Sequence, residues 1–363
     1  MVDFDVQKQA ILPQRMLPIV SIGMGGIVND AHYPAYKQVG FPVVGGYDPD
    51  DGRARMMQEK FGVPMLYHAL NDAFERAPAD AVFDVAVPGW AILEIIKQFP
   101  PNRAVLIQKP MGDTFDDAKA ILRLCREKNL TAAINFQLRT MPHVIAARSM
   151  IDQGLIGDVV DMEVRMQMHT PWEIWPFLLP MKRLEILYHS IHYIDLTRSF
   201  LGDPMGVYAK TLKHPVAAPD LSPTRTMIIM DYGADVRANI MTNHGHRYGV
   251  DKEQSYAKWE GSTGAIMVTA GLNMDYPRGK PDKFEYVLLR DGVTPHWQTL
   301  DIPGSWFPDA FIGSMSSLQR YVLGETDVLP TSVEDAYHTM AVVEAAYESS
   351  ASGGTVPPYR LES

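Results

Sequence analysis

Two places in this chain combine residue types suited to moving a proton at a hydroxyl group. The first is Gln108-Lys109-Pro110, which closes the apolar run Ala104-Val105-Leu106-Ile107. That run reads as a buried parallel strand, and the proline ends it. Lys109 therefore falls just past the carboxyl end of a strand, where open α/β sheets bind ligands. The second place is Tyr188-His189-Ser190-Ile191-His192-Tyr193-Ile194-Asp195. On a helix, Tyr188 and His192 share a face and His192 neighbours Asp195. A strand-end lysine and a helical histidine with a pKa near neutral suit donation to, and acceptance from, a substrate hydroxyl. Each alone has a plainer reading, as a solvated lysine or a packed core histidine; the combination points to chemistry.

The elements around them must supply a scaffold. Pro18-Ile19-Val20-Ser21-Ile22 reads as a strand and runs straight into Gly23-Met24-Gly25-Gly26-Ile27-Val28. This is the strand, glycine turn and helix of a dinucleotide site. Gly23 makes the turn and Gly25 admits a pyrophosphate to the helix start. Val28 is larger than the usual third small residue. The next strand, Pro42–Tyr47, delivers Asp48, 25 residues after Gly23, where an acid can hold the adenosine ribose. A carboxylate there repels a 2′-phosphate, so NAD is expected over NADP, although Arg53 and Arg55 lie close. Asp48 can alternatively cap the following helix. Further strands are expected over Ala81–Val87, ended by Pro88, then Ala104–Ile107 and Thr131–Phe136, with helices near Asp51–Lys60, Trp90–Gln98 and Thr114–Lys128. These five strands with their intervening helices predict a doubly wound parallel sheet.

After Pro142 the grammar changes. A helix to about Gly154 is followed by strands at 159–169, 207–212, 226–232, 236–241, 256–260, 265–269 and 284–289. One helix near Glu185–Leu201 interrupts them, and two close the chain, near Asp309–Leu323 and Ser332–Ser349. The expected organisation is a Rossmann domain at 1–140 and, at 141–363, an α+β domain with a large open, mainly antiparallel sheet. The late helices are candidates to pack back on the first domain. Residues 1–17 read as a lead-in, and Pro215–Pro223 as a Pro/Ala-rich loop.

Composition narrows the function class. The 363 residues are 46% hydrophobic and 21% charged, with 33 basic against 43 acidic residues and a net charge of −10. That balance argues against nucleic acid or an anionic membrane as partner. No apolar run reaches membrane-spanning length, and the acidic start Met1-Val2-Asp3-Phe4-Asp5 does not resemble a signal peptide. The single cysteine, Cys125, excludes an intrachain disulfide, and the expected compartment is the cytoplasm.

With these motifs in order, the chain resembles the glucose–fructose oxidoreductase/inositol dehydrogenase (Gfo/Idh/MocA) family over almost its whole length. Gly23-Met24-Gly25-Gly26-Ile27 with His32-Tyr33-Pro34-Ala35 looks like the family's nucleotide turn. Gln108-Lys109-Pro110 looks like its Glu-Lys-Pro motif. Phe136-Gln137-Leu138-Arg139 looks like the opening of its second domain, and Ser190–Leu196 like its active-site helix. The resemblance implies an NAD(P)-dependent oxidoreductase acting on a secondary alcohol of a sugar, glycoside or cyclitol. Lys109 would touch substrate and nicotinamide ribose, and His192 would exchange the hydroxyl proton. Val87, Pro88 and Gln108 would join Gly23, Gly25, Gly26, Ile27 and Asp48 at the cofactor; Gln137, Arg139 and His189 would reach the substrate. An open-faced second domain implies a homodimer or homotetramer. Three positions depart from the family pattern: Tyr188 stands where many members have Asp, Gln108 replaces Glu, and Ala91 replaces a histidine. Tyr188 becomes a candidate proton relay, and His189 a substitute for the missing acid.

Two further clusters stand out. Trp172, Glu173 and Trp175 in the loop His169–Phe177 suit a sugar ring, and equally an oligomer interface. Asn243-His244-Gly245-His246-Arg247 with His189 and His192 suggests a metal, but lacks a compact ligand spacing, so no metal is expected. Two other functions stay open: a redox-neutral enzyme with tightly held NAD, and a non-catalytic dinucleotide-binding regulator.

Overall fold

The computed structural model describes residues 5–355 except 216 and 219. Most of the acidic start and two positions of the 215–223 loop thus lie outside the described residues. The first sheet contains β1 (Ile19–Ile22), β2 (Val43–Tyr47), β3 (Val82–Val85), β4 (Ala104–Ile107) and β5 (Thr131–Ile134). Its order is β2-β1-β3-β4-β5, all parallel. Short, mostly apolar runs form these strands, and even the polar Ser21 and Asp84 are buried, because helices cover both faces. All five expected strands form. Beyond β2 only a single parallel bridge, Gly46 to Leu66, continues the sheet.

The register decides where a ligand can sit. Ile22 pairs with Tyr47 and Val85, Val85 with Ile107, and Ile107 with Ile134. The strands end level, so Gly23, Asp48, Ala86, Gln108 and Asn135 share one edge. The chain reverses its lateral direction at β1, and such a switch point opens a crevice beyond the strand ends.

The helices have local causes. A π-helical turn, Val28–His32, leads into α1 (Tyr33–Val39). In α2 (Asp51–Phe61) the N-cap is Asp50, whose carboxylate accepts from the Arg53 amide, and Gly62 ends the helix at φ +70°. Asp48 is thereby released from the capping role. After α3 (Leu70–Arg76) and α4 (Gly89–Gln98), α5 (Phe115–Glu127) opens on a Thr114–Asp117 capping box.

Beyond α6 (Pro142–Asp152), a second sheet is built from β6 (Val159–Gln167), β7 (Gly206–Leu212), β8 (Arg225–Asp231), β9 (Arg237–Asn243), β10 (Gln254–Gly261), β11 (Gly264–Thr269), β12 (Lys283–Leu288) and β13 (Gln298–Leu300). The order is β13-β12-β11-β10-β6-β9-β8-β7, antiparallel except for β6 with β9. Alternation assigns its faces. In β8, Ile228 and Met230 enter the core, while Met227 and Ile229 stay exposed beside Tyr208.

Three late elements join the halves. The helix α7 (Ile191–Leu201) is preceded by a π-helical turn, Ile186–Ser190. The helix α8 (Asp309–Val322) places Phe311, Met315 and Leu318 in the core beneath Ile19, Val82 and Leu106. The helix α9 (Val333–Ser352) lies against α5, α7 and β7. No described helix is long and apolar enough to cross a membrane.

Candidate active site

At the nucleotide turn, Gly23 has φ +87°, and a Cβ there would lie 2.4 Å from the Ala86 carbonyl oxygen. Only glycine closes this turn against β3. Gly25 and Gly26 face open space, with nothing within 4 Å of a Cβ on either. They form a shelf at a helix start that admits a pyrophosphate against backbone N–H groups. Asp48 is buried and accepts from the Met24 amide at 2.8 Å and the Asp50 amide at 2.9 Å. The Arg53 guanidinium stands 3.3 Å from it. A carboxylate is thus fixed beside the glycine turn, with a half-exposed cation next to it. These residues fit a dinucleotide. Val87 and Pro88 follow β3 at the same edge, and Ile27 follows the shelf.

Gln108 and Lys109 are oriented by a buried chain of polar groups. Asp84 on β3 lies 2.7 Å from His32 Nδ1 and accepts from Tyr36 at 2.9 Å. With His32 Nδ1–H donating to the Asp84 carboxylate, His32 Nε2 is left as an acceptor. Gln108 Nε2 sits 3.3 Å from that nitrogen, while its carbonyl oxygen accepts from the Lys109 amide at 2.8 Å. A glutamate at 108 could not donate to His32 in this tautomer. The Gln108 departure thus has a local reason in the Asp84–His32 pair.

Lys109 turns its ammonium toward the π-helical turn that precedes α7 and donates to the Tyr188 carbonyl at 2.8 Å. Burial pushes its pKa down to about 8. His192 is also buried, with its ring edge-on to Trp306 at 5.6 Å and its Nδ1 unpartnered. Burial, and secondarily the Lys109 charge, holds His192 well below 6.5. The expected near-neutral His192 is therefore corrected. It stays uncharged at physiological pH and is available as a proton acceptor.

Tyr188 does not act through the helix face it shares with His192 in sequence. The π-helical turn 186–190 shifts the helical phase between them. The Tyr188 hydroxyl donates to Asp113 Oδ1 at 2.6 Å and receives the Gly89 amide at the start of α4. Burial, then Asp113, raises its pKa far above the usual phenol range. The acid absent from the helix is thus supplied from the loop after Lys109. A Cβ at Gly89 would stand 2.3 Å from Asp113, so that approach requires glycine. Asp113 escaped the sequence reading because it carries no motif. Its only signal was its position four residues beyond Lys109.

The other candidates divide. Gln137 is fully buried, with its carbonyl oxygen unpartnered. Arg139 is committed elsewhere: its guanidinium pairs with Asp195 and Asp335, each at 2.5 Å, and donates to the Pro330 carbonyl. Trp172 is buried against His244 at 4.8 Å; Trp175 packs on Tyr276 at 5.5 Å, and Glu173 is exposed. His189 faces His244 edge-on at 4.5 Å, which brings the two histidine clusters of the sequence together with buried Glu185.

Comparison with known proteins decides the family. Residues 17–136 match the model for the NAD-binding Rossmann fold of the oxidoreductase family, and residues 148–357 match its C-terminal alpha/beta domain. The chain belongs to the Gfo/Idh/MocA family. It is an NAD(P)-dependent oxidoreductase. A D-apiose dehydrogenase of Rhizobium rhizogenes is 24% identical over 91% of this chain and 93% of its own. A D-xylose 1-dehydrogenase (NADP(+)) of Haloferax volcanii is 22% identical over 92% of this chain and 98% of its own. Levoglucosan dehydrogenase, solved with NADH and levoglucosan, superposes with a TM-score of 0.78 at 17% identity, covering 93% of this chain and 98% of its own. At that identity the last likeness concerns the fold.

Proposed function

We propose that this Gfo/Idh/MocA member oxidises a secondary alcohol of a sugar, glycoside or cyclitol, with NAD preferred over NADP. The observation that carries the reading is the pairing of Lys109 with His192 beside the level strand ends. One is a half-buried, desolvated ammonium, the other a buried imidazole that stays neutral. Neutral His192 accepts the hydroxyl proton. The Lys109 ammonium stabilises the negative charge growing on that oxygen, and the low-polarity surroundings strengthen the interaction. The bound nicotinamide supplies the hydride chemistry. Asp113, through Tyr188, fixes the segment whose carbonyl holds Lys109. The preference for NAD rests on buried Asp48, which disfavours a second negative charge at the ribose. The test is a screen of sugars, glycosides and cyclitols with NAD and NADP, following the reduced cofactor. Oxidation with net NADH release supports the reading. Turnover without NADH release favours the redox-neutral alternative.

A further inference from the structure

Glu185, His189 and His244 lie beside the proposed catalytic pair but take no part in the proton path. The sequence holds the first two on one helical turn and His244 just past β9, so no ligand spacing betrays them. Folding brings one ligand atom of each within 4.8 Å of the others.

Hydrogen bonding leaves this cluster unfinished. His244 Nδ1 is satisfied by Thr170 Oγ1 at 2.8 Å, while Nε2 has no hydrogen-bond partner and stands 3.5 Å from Glu185 Oε1. Glu185 is 1% exposed; Oε1 accepts from Ser190 at 2.6 Å, the Thr226 hydroxyl also lies by the carboxylate, and Oε2 has no well-aligned partner. His189 Nδ1 is likewise buried and unpartnered. Buried polar atoms are almost always paired, and several orphans facing each other call for a group that satisfies them together. A proton can serve one pair. A cation serves all three.

We propose that Glu185, His189 and His244 bind one divalent transition-metal ion, best suited to Zn²⁺. Two imidazoles and a carboxylate are a donor set of catalytic zinc sites, which keep a fourth position open. Bonds of about 2.0–2.1 Å in a tetrahedron place ligand atoms roughly 3.4 Å apart. The His244–Glu185 separation of 3.5 Å already meets this, and His189 closes the rest by a small side-chain movement. The second shell is in place. Thr170 on His244 Nδ1 leaves Nε2 for the metal, and Ser190 orients the Glu185 carboxylate. Glu185 and His244 are sealed in the core, whereas His189 is only half-buried and has Lys109 and His192 as neighbours. The open position therefore faces the substrate pocket, where water or a sugar hydroxyl completes the tetrahedron; this last step rests on the proposed sugar reading.

The test uses the full chain after chelator treatment, titrated with Co²⁺ and then Zn²⁺. The expected result is one equivalent of Co²⁺ with the visible absorption of a tetrahedral site, displaced by one equivalent of Zn²⁺. His244→Ala and Glu185→Gln should each abolish the band. His246→Ala, whose ring contacts the Gly249 carbonyl in the same segment, should leave it intact. Far-UV circular dichroism and NAD binding confirm that each variant is folded. Absence of a stoichiometric Co²⁺ band in the folded wild type, or a band that survives in His244→Ala, overturns the site. These readouts need no substrate, so a site that binds metal in a chain with no active sugar would sink the sugar reading alone. If the ion takes a sugar hydroxyl, its removal should raise KM at least tenfold with NAD affinity unchanged.

Discussion

At the scale of single residues, the burial of Lys109 and His192 dictates their behaviour. Replacing His192 with alanine should lower kcat by about 10²–10⁴ while leaving NAD affinity nearly unchanged, the usual magnitude for a positioned general base. Steady-state kinetics with a fluorescence titration of NAD checks both halves. Lys109 carries a pKa of about 8, so in the oxidising direction kcat/KM should fall as pH rises through about 8 and the ammonium is lost. A rate that instead climbs through that pH would make Lys109 the base and displace His192 from the role. Tyr188→Phe removes the hydrogen bond to Asp113 and should lower activity while leaving the basic limb of the pH profile in place; a relay would move the limb. Asp48→Ala should narrow the preference for NAD over NADP, measured as the ratio of the two dissociation constants. Equal affinities in the unmutated protein would refute the preference itself.

At the scale of elements, three segments meet at Arg139. It lies on a 3-10 turn (Gln137–Thr140), Asp195 on α7 and Asp335 on α9. Asp195 also accepts from Thr339, which receives Arg198 at 2.6 Å. The cluster joins the end of the first sheet to α7 and to α9. Removing one partner of a buried pair strands the other charge, at a cost of about 3–5 kcal/mol. Arg139→Ala should therefore lower the denaturant midpoint strongly, whereas a role confined to the substrate would raise KM and leave stability alone. The π-helical turn before α7 is the other decisive element. It turns Tyr188 toward Asp113 and His189 toward His244, orientations that a regular 3.6-residue period does not give.

At the scale of the whole molecule, charge and exposed surface matter most. Burial holds His143, His189 and His192 below 6.5, with His143 at about 4. The folded state leaves them neutral where the unfolded chain protonates them. The stability they support is complete above about pH 6.5 and is lost as pH falls below it, at up to ~1.4 kcal/mol per pH unit for each group. Urea midpoints should drop between pH 7.5 and 5.5 by more than in a His143→Gln variant. The second sheet leaves Tyr208, Leu212, Met227 and Ile229 exposed on adjoining strands. An apolar face of this kind is usually covered, so the chain should form a homodimer or homotetramer. Light scattering giving only the mass of one 40.6 kDa chain at micromolar concentration would refute this.

The amino-acid sequence by itself determined the elements that depend on local pattern. Short apolar runs separated by helical stretches marked β1 to β5, and β-rich segments at regular spacing marked β6 to β12, because strand-forming stretches leave a direct trace in residue order. It also singled out Lys109, His192 and the glycine turn, because a strand end, a helix and a strand-to-helix turn can each be read from residue order. What it could not determine depends on distance through space. The level strand ends, the Asp84–His32–Gln108 chain, and Asp113 reaching Tyr188 across 75 residues are products of register and packing. The commitment of Arg139 to Asp195 and Asp335 is another. So is the meeting of Glu185 and His189 with His244, since a hydrogen bond or a ligand set needs only nearness, and nearness between distant residues leaves no spacing for a sequence to show. The titration of His192 was decided there too, because burial, a property of the folded whole, moves it away from the neutral value that its residue type alone suggests.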